Sequence, residues 1–310
     1  MIELAIMIEG QNGLTWKHWK NIATAVDDLG FVGLFRSDHY TNANPPDKAS
    51  LELWTSLTWL ATHTHRIEFG PLVTPISFRN PTMTARMAAA VDDLSEGRLI
   101  LGLGAGWQER EHNNYGWDLL KVPQRMDRFE EGLEVITRLL TSDSPSNFNG
   151  NYYKLEDGIL LPRPNRPGGP PILIGGNGKK RTLPLVAKYA AEWNALFISI
   201  SDFKNLNNQL DQYLEVSGRS PSDMRRSLMA PCIFGKNEAE IAKKVEAQTR
   251  GQRTPQDLIA RDFFVGTANQ IIDKLGEWEE AGIYRVMLQW INLDDLDGLE
   301  EFAHQVLKQR

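Results

Sequence analysis

A single cysteine, Cys232, stands among 310 residues, so no disulfide can close within the chain. One thiol, six histidines and no Cys-x-x-Cys pair leave no basis for a structural metal site, and none is expected. No apolar stretch approaches the ~18 residues that a membrane-crossing helix needs. The chain opens on a strand-like run, Ile2–Ile8, without a basic n-region or an apolar h-region. The expectation is a cytoplasmic protein with no membrane partner. Positive charge is scarce too: 34 basic residues face 40 acidic ones, a net charge of −6. Such a chain has no electrostatic footprint for nucleic acid, and Lys179-Lys180-Arg181 is its one short basic run. Also missing is a G-x-G-x-x-G after the first strand-like run, where Glu9-Gly10-Gln11-Asn12 stands instead. That absence argues against an open dinucleotide-binding sheet.

What is present is an ordinary globular composition, 41% apolar and 24% charged, long enough for one large α/β domain over residues 1–310. Apolar runs at Ile2–Ile8, Val32–Phe35, Ile67–Val73 and Arg98–Leu103 alternate with helical patterns at about Thr15–Leu29, Leu51–Thr62, Thr82–Leu94 and Met126–Leu140. Gly30 suits a C′ position, and Asn80 with Pro81 reads as a helix start. From about 141 to 170 the rhythm breaks into turn residues and prolines. This is an inserted excursion, because alternation resumes at Ile172–Ile174, Asn194–Ile198, Ser227–Phe234 and Arg285–Gln289. Helical patterns at Thr182–Ala191, Phe203–Val216, Glu238–Gln248, Ala268–Ala281 and Leu299–Leu307 fill the gaps. Eight such units imply a parallel sheet closed into a (β/α)8 TIM-like barrel, with an open doubly wound sheet as the alternative.

In a barrel the reactive side chains stand on the loops that follow strands. After the second run comes Arg36-Ser37-Asp38-His39-Tyr40, where His39 is a candidate acid or base. A plain loop histidine beside a capping aspartate is the alternative. After the third comes Gly70-Pro71-Leu72-Val73-Thr74-Pro75, which reads either as a bulge pushed into the barrel mouth or as a proline-containing strand end. After the fourth, Gly102-Leu103-Gly104-Ala105-Gly106-Trp107 would let a flat ligand approach the main chain, although plain turns share this spacing. After the fifth, Gly175-Gly176-Asn177-Gly178 runs into the basic trio and a helix start, an arrangement suited to a phosphate. The rival there is a tight turn with a solvated basic face. His63 and His65 fall at a helix end on the opposite floor, and Trp54 and Trp59 read as packing or subunit contacts.

Taken together, Leu29-Gly30-Phe31 to Ser37-Asp38-His39, Gly70–Thr74, Gly97-Arg98-Leu99 to Gly104-Ala105-Gly106-Trp107, and Ile174-Gly175-Gly176 resemble the luciferase-like monooxygenase and coenzyme F420-dependent oxidoreductase superfamily. The resemblance spans nearly the whole chain. It implies a TIM-like barrel with an insertion, a homodimer, and a small-molecule substrate. It places His39, with Asp38 beside it, near the reacting carbon of a deazaflavin. It also implies a non-prolyl cis peptide at Leu72–Val73 behind the ring system, with Thr74 next to it. Gly104, Ala105 and Gly106 would lie along the cofactor, and Gly175, Gly176, Asn177 and Gly178 would hold its phosphate. One departure is that some sugar-phosphate dehydrogenases of the group carry a glutamate where Trp107 stands, so sugar-phosphate oxidation and an acid role for Glu109 or Glu111 are not carried over. The leading expectation is hydride transfer between F420 and an organic substrate, with His39 handling the proton. The alternatives are an FMN-dependent monooxygenase on the same fold and a flavin-binding barrel without turnover.

Overall fold

The computed structural model describes residues 1–309. Strand β1 (Glu3–Ile8) leads to helix α1 (Trp16–Leu29), and β2 (Gly33–Arg36) leads to α2 (Leu53–His63). Then come β3 (Glu68–Pro71), its short continuation β4 (Thr74–Pro75), and α3 (Pro81–Leu94). Strand β5 (Leu101–Gly104) is followed by α4 (Glu109–Tyr115) and α5 (Val122–Thr141), after which β6 (Ser146–Asn149) and β7 (Lys154–Gly158) form an antiparallel hairpin. Alternation resumes with β8 (Ile172–Gly175), α6 (Thr182–Tyr189), β9 (Glu192–Leu196) and α7 (Ile200–Val216). Strand β10 (Arg225–Phe234) precedes α8 (Glu238–Thr249), α9 (Pro255–Ile259), β11 (Phe264–Gly266) and α10 (Ala268–Glu280). Strand β12 (Arg285–Gln289) and α11 (Leu296–Gln305) complete the series.

The main sheet is parallel and runs β3-β2-β1-β12-β10-β9-β8-β5-β4. Its two ends meet: Phe69 and Leu99 form a parallel bridge, and the Ile100 amide donates to the Phe69 carbonyl at 2.8 Å. Closure at this seam depends on Gly70, because a Cβ there would stand 1.9 Å from the Ile100 carbonyl oxygen. Strands β3 and β4 are one station of the barrel, interrupted at Leu72–Val73. The expected barrel of parallel strands is thus present, and the open sheet is excluded.

Alternation along β1 sorts the core into two layers, since successive side chains of a strand face opposite sides. Leu4, Ile6 and Ile8 pack outward against the helices, while Ala5 and Met7 join Phe35, Ile100, Leu173 and Met287 inside the barrel. Helix α3 starts as the sequence indicates, whereas α1 begins one residue later than expected, with Thr15 as its cap. The Thr15 and Asn80 side chains accept the His18 and Thr82 amides, Pro81 opens α3, and Gly30 closes α1 at φ 100°. At the N-terminal end of the strands a charged layer plugs the base. Arg285 donates to Glu3 at 2.7 Å, contacts Glu68, and lies 3.6 Å from the buried Glu192.

Some elements depart from expectation. The third run is cut into β3 and β4, the sixth begins two residues early at Glu192, and the 141–170 excursion contains the β6–β7 hairpin. Helices α4 and α9 and strand β11 are additions, β11 pairing in parallel with the end of β10. Among the described residues no helix is long and apolar enough to cross a membrane.

Candidate active site

Loops leaving the C-terminal ends of six strands converge on one cleft of about 1170 Å³. Glu9 enters it after β1, His39 after β2, Leu72 and Val73 after β3, Gly104 to Trp107 from β5, Gly175 to Asn177 from β8, and Phe197 after β9. Of the sequence candidates, His39, Leu72, Val73, Gly104, Ala105, Gly106, Gly175, Gly176 and Asn177 line this cleft, whereas Asp38, Thr74 and Gly178 lie behind its wall.

The approach to His39 is anchored by Arg36, whose guanidinium is fully buried. It donates to Ser56 Oγ and the Leu51 carbonyl, each at 2.8 Å, and to the Ser37 carbonyl. Burial pushes its pKa down to about 10, which still leaves it cationic at neutral pH. Next to it, Asp38 accepts from Thr74 Oγ1 at 2.6 Å and from Arg79 Nη1 at 2.5 Å, and Arg79 also reaches Glu52 at 2.8 Å. Asp38 therefore ties the β2 loop to β4 and α2, with its carboxylate already occupied by protein donors.

His39 itself has Nδ1 2.8 Å from Glu111 Oε1, and the two side chains are 13% and 1% exposed. The other Glu111 oxygen accepts the Tyr40 amide at 3.1 Å. Burial alone would lower the imidazole pKa; the hydrogen bond and charge of Glu111, helped by Glu9 and Asp38, outweigh it and hold His39 above its ordinary 6.5. Across the cleft wall the Trp107 ring meets the imidazole edge-on at 5.6 Å.

The peptide between Leu72 and Val73 is cis, at the position the resemblance implied. Val73 then rests in a gap that glycine provides: a Cβ on Gly104 would lie 2.6 Å from Val73 Cγ2. Gly104 thus admits a protein side chain, which in turn forms part of the cleft floor. In the β8 loop, Asn177 spends its side chain on β9, donating to the Leu196 carbonyl at 2.8 Å and accepting the Leu196 amide. Gly178 packs under Thr182 at the start of α6. Of the basic run, Arg181 turns to Asp127 on α5 at 2.7 Å, while Lys179 and Lys180 are exposed.

Sequence reasoning missed Glu111. Helix α4, Glu-Arg-Glu-His-Asn-Asn-Tyr, has no apolar stripe, and its buried face is Glu111 and His112. The available signal was Gly116, a left-handed cap at φ 70° after a polar stretch. Glu9 was missed too. It lies in the cleft with one oxygen accepting from Gln289 Nε2 at 2.6 Å and the other from Gln11 Nε2 at 2.9 Å.

A solved F420-dependent secondary alcohol dehydrogenase, in complex with an F420-acetone adduct, superposes over 100% of this chain and 99% of its own with a TM-score of 0.86 at 20% identity. The monooxygenase RslO1 from Streptomyces bottropensis does so over 99% of each chain, with a TM-score of 0.85 at 18% identity. In sequence, the F420-dependent glucose-6-phosphate dehydrogenase of Amycolatopsis mediterranei (strain U-32) is 25% identical over 92% of each chain. Residues 3–285 match the model of the luciferase-like monooxygenase family, and the chain belongs to that family.

Proposed function

We propose that the chain is an oxidoreductase that transfers a hydride between coenzyme F420 and an organic substrate held at the C-terminal mouth of the barrel. The observation that carries this reading is the convergence of His39, the Leu72–Val73 bulge and the glycine segments of β5 and β8 on one cleft. The residues fit a flat ring with a phosphate-bearing tail. Leu72, Val73 and Gly104 form the floor, and Gly175 and Gly176 leave room beside the main chain for the tail, the Gly176 amide itself donating to the Asn194 carbonyl at 3.0 Å. When bound, a deazaflavin supplies the two-electron hydride chemistry. The chain's own contribution is orientation, a wall that restricts water, and a proton handled at His39 Nε2. F420 use by two of the relatives supports the cofactor choice.

The second reading, an FMN-dependent monooxygenase on the same barrel, is favoured by the likeness to RslO1. A fluorescence titration of the purified apoprotein with oxidised F420 and, in parallel, FMN decides between them. Tight F420 binding with weak FMN binding is expected; the reverse moves the chain to the monooxygenases, and binding of neither removes the hydride-transfer reading. His39→Gln is expected to keep the F420 affinity and lose turnover, which would also exclude a binding barrel without turnover. We further propose that Asp38 and Thr74 serve the cofactor indirectly, by fixing the bulge, and that the protein is a homodimer.

A further inference from the structure

His39 is held by one nitrogen. Nδ1 meets Glu111, while among the described residues Nε2 meets no hydrogen-bonding partner, and the residue borders the cleft. Glu111 is completely buried, and its second oxygen carries the Tyr40 amide, so rotating the carboxylate away would leave a part-buried N–H unpaired. The helix that carries Glu111 is itself clamped to the neighbouring loops. Gln108 Nε2 donates to the Thr41 carbonyl at 3.0 Å, Arg110 Nη1 donates to the Asn42 carbonyl at 2.8 Å, and His112 Nε2 pairs with Ser77 Oγ at 2.8 Å. This is more fixation than a seven-residue polar helix needs for its own sake. It delivers one carboxylate to one imidazole nitrogen.

We infer that Glu111 is the positioning residue of His39: it fixes the ring with Nε2 toward the cleft, keeps a proton on it, and suits the pair to a carbonyl–alcohol couple. The inference deepens the hydride-transfer reading and rests on it. In the reducing direction a bound reduced deazaflavin would supply the hydride, with its electron pair, for the new C–H bond at the carbonyl carbon. As the C=O π bond breaks, Nε2–H gives its proton to the oxygen. The ring is then neutral, with its remaining proton on Nδ1 facing Glu111, and one proton taken up from bulk solvent through the open cleft restores Nε2–H. In the oxidising direction the same atoms run backwards. Three carboxylates face the ring: Glu111 from α4, Glu9 from the end of β1, and Asp38 from its own loop, the last already paired with Arg79. Trp107 packs against the ring in a T-shaped contact and adds no titratable group. Of the three, Glu111 alone touches the imidazole, so it dominates the proton's retention.

The test is an NMR titration of the apoprotein labelled at histidine, with the His39 signals assigned by their loss in His39→Gln. In the wild type the His39 midpoint is expected above 6.5, and the neutral ring is expected as the Nδ1–H tautomer. Glu111→Gln is expected to lower the midpoint by about one pH unit or more, the usual effect of removing an adjacent opposite charge, and to mix the tautomers. Glu111→Asp is expected to restore part of the shift. An unchanged midpoint in Glu111→Gln overturns the inference. So does a wild-type midpoint below 6.5 with an Nε2–H neutral ring, a result that needs no variant to fold. The titration uses no cofactor, so an intact pair in a chain that fails to bind F420 would overturn the functional reading and leave the pair standing.

Discussion

At the residue scale, the site is shaped as much by missing side chains as by reactive ones. In sequence, Gly104 is a place where a flat ligand could near the backbone. The structure gives a more specific reason for it, because Val73 already fills the space a Cβ would take, 2.6 Å from Cγ2. The cleft floor is therefore a nested contact between two strand ends, with Val73 as the surface a ligand would meet. Gly104→Ala forces that valine upward into the cleft. Overpacking of this kind costs about 1–3 kcal/mol. The expected outcome is a modest loss of thermal stability together with at least ~10-fold weaker binding of F420, the proposed cofactor, read by the same fluorescence titration. Unchanged affinity with lowered stability would mean that Val73 yields downward and takes no part in holding the ligand.

At the scale of elements, the loops around the mouth are registered by buried ionic ties as well as by packing. Arg79, just ahead of α3, joins Asp38 of the β2 loop and Glu52, whose side chain caps α2 by accepting the Thr55 amide at 2.6 Å. Its removal would leave the Asp38 carboxylate, 3% exposed, with Thr74 as its remaining donor. Breaking a buried pair from one side costs about 3–5 kcal/mol. Arg79→Met is accordingly expected to lower unfolding stability in urea by about that amount, and a loss below ~1 kcal/mol would show that Asp38 is satisfied without it. This level also separates what was legible in the sequence from what was not. Strand and helix alternation, the cap at Asn80, Gly30 at the end of α1, and the excursion near 141–170 follow from local periodicity and turn chemistry, and all are visible along the chain. The bulge at Leu72–Val73 came from family resemblance, since the residues alone also allowed an ordinary strand end. Helix α4 was illegible because burial of Glu111 and His112 makes sense only once Tyr40, Ser77 and Thr41 stand against it. A partner 72 residues away leaves no periodic trace.

Across the whole molecule, the barrel divides its charge between two ends with different tasks. At the mouth, buried or half-buried groups stand near His39 and the cleft. At the base, Arg285 gathers Glu3, Glu68 and Glu192, each the first residue of its strand, as Arg285 is of β12. In barrels of this kind the N-terminal face carries stability and the C-terminal face carries chemistry. Glu192 is the energetically costly member of this layer, for it is buried, neither carboxylate oxygen finds a hydrogen-bond partner, and Arg285 lies 3.6 Å away. Burial raises its pKa above the ordinary 4.5, and the attraction of Arg285 offsets only part of that. A group whose folded pKa is raised adds stability below its unfolded value and loses it as pH climbs through the folded value. The wild type should therefore lose stability at this site from pH 4.5 upward, whereas Glu192→Gln, which cannot ionise, should not. Melting temperatures of the two proteins, measured from pH 4.5 to 8, are expected to move in the variant's favour as pH rises, with F420 affinity unchanged because the base lies outside the cleft. A variant that loses ground with rising pH would show that the Arg285–Glu192 attraction exceeds the cost of burying the carboxylate. The base would then be held together by its ion pair and not in spite of it.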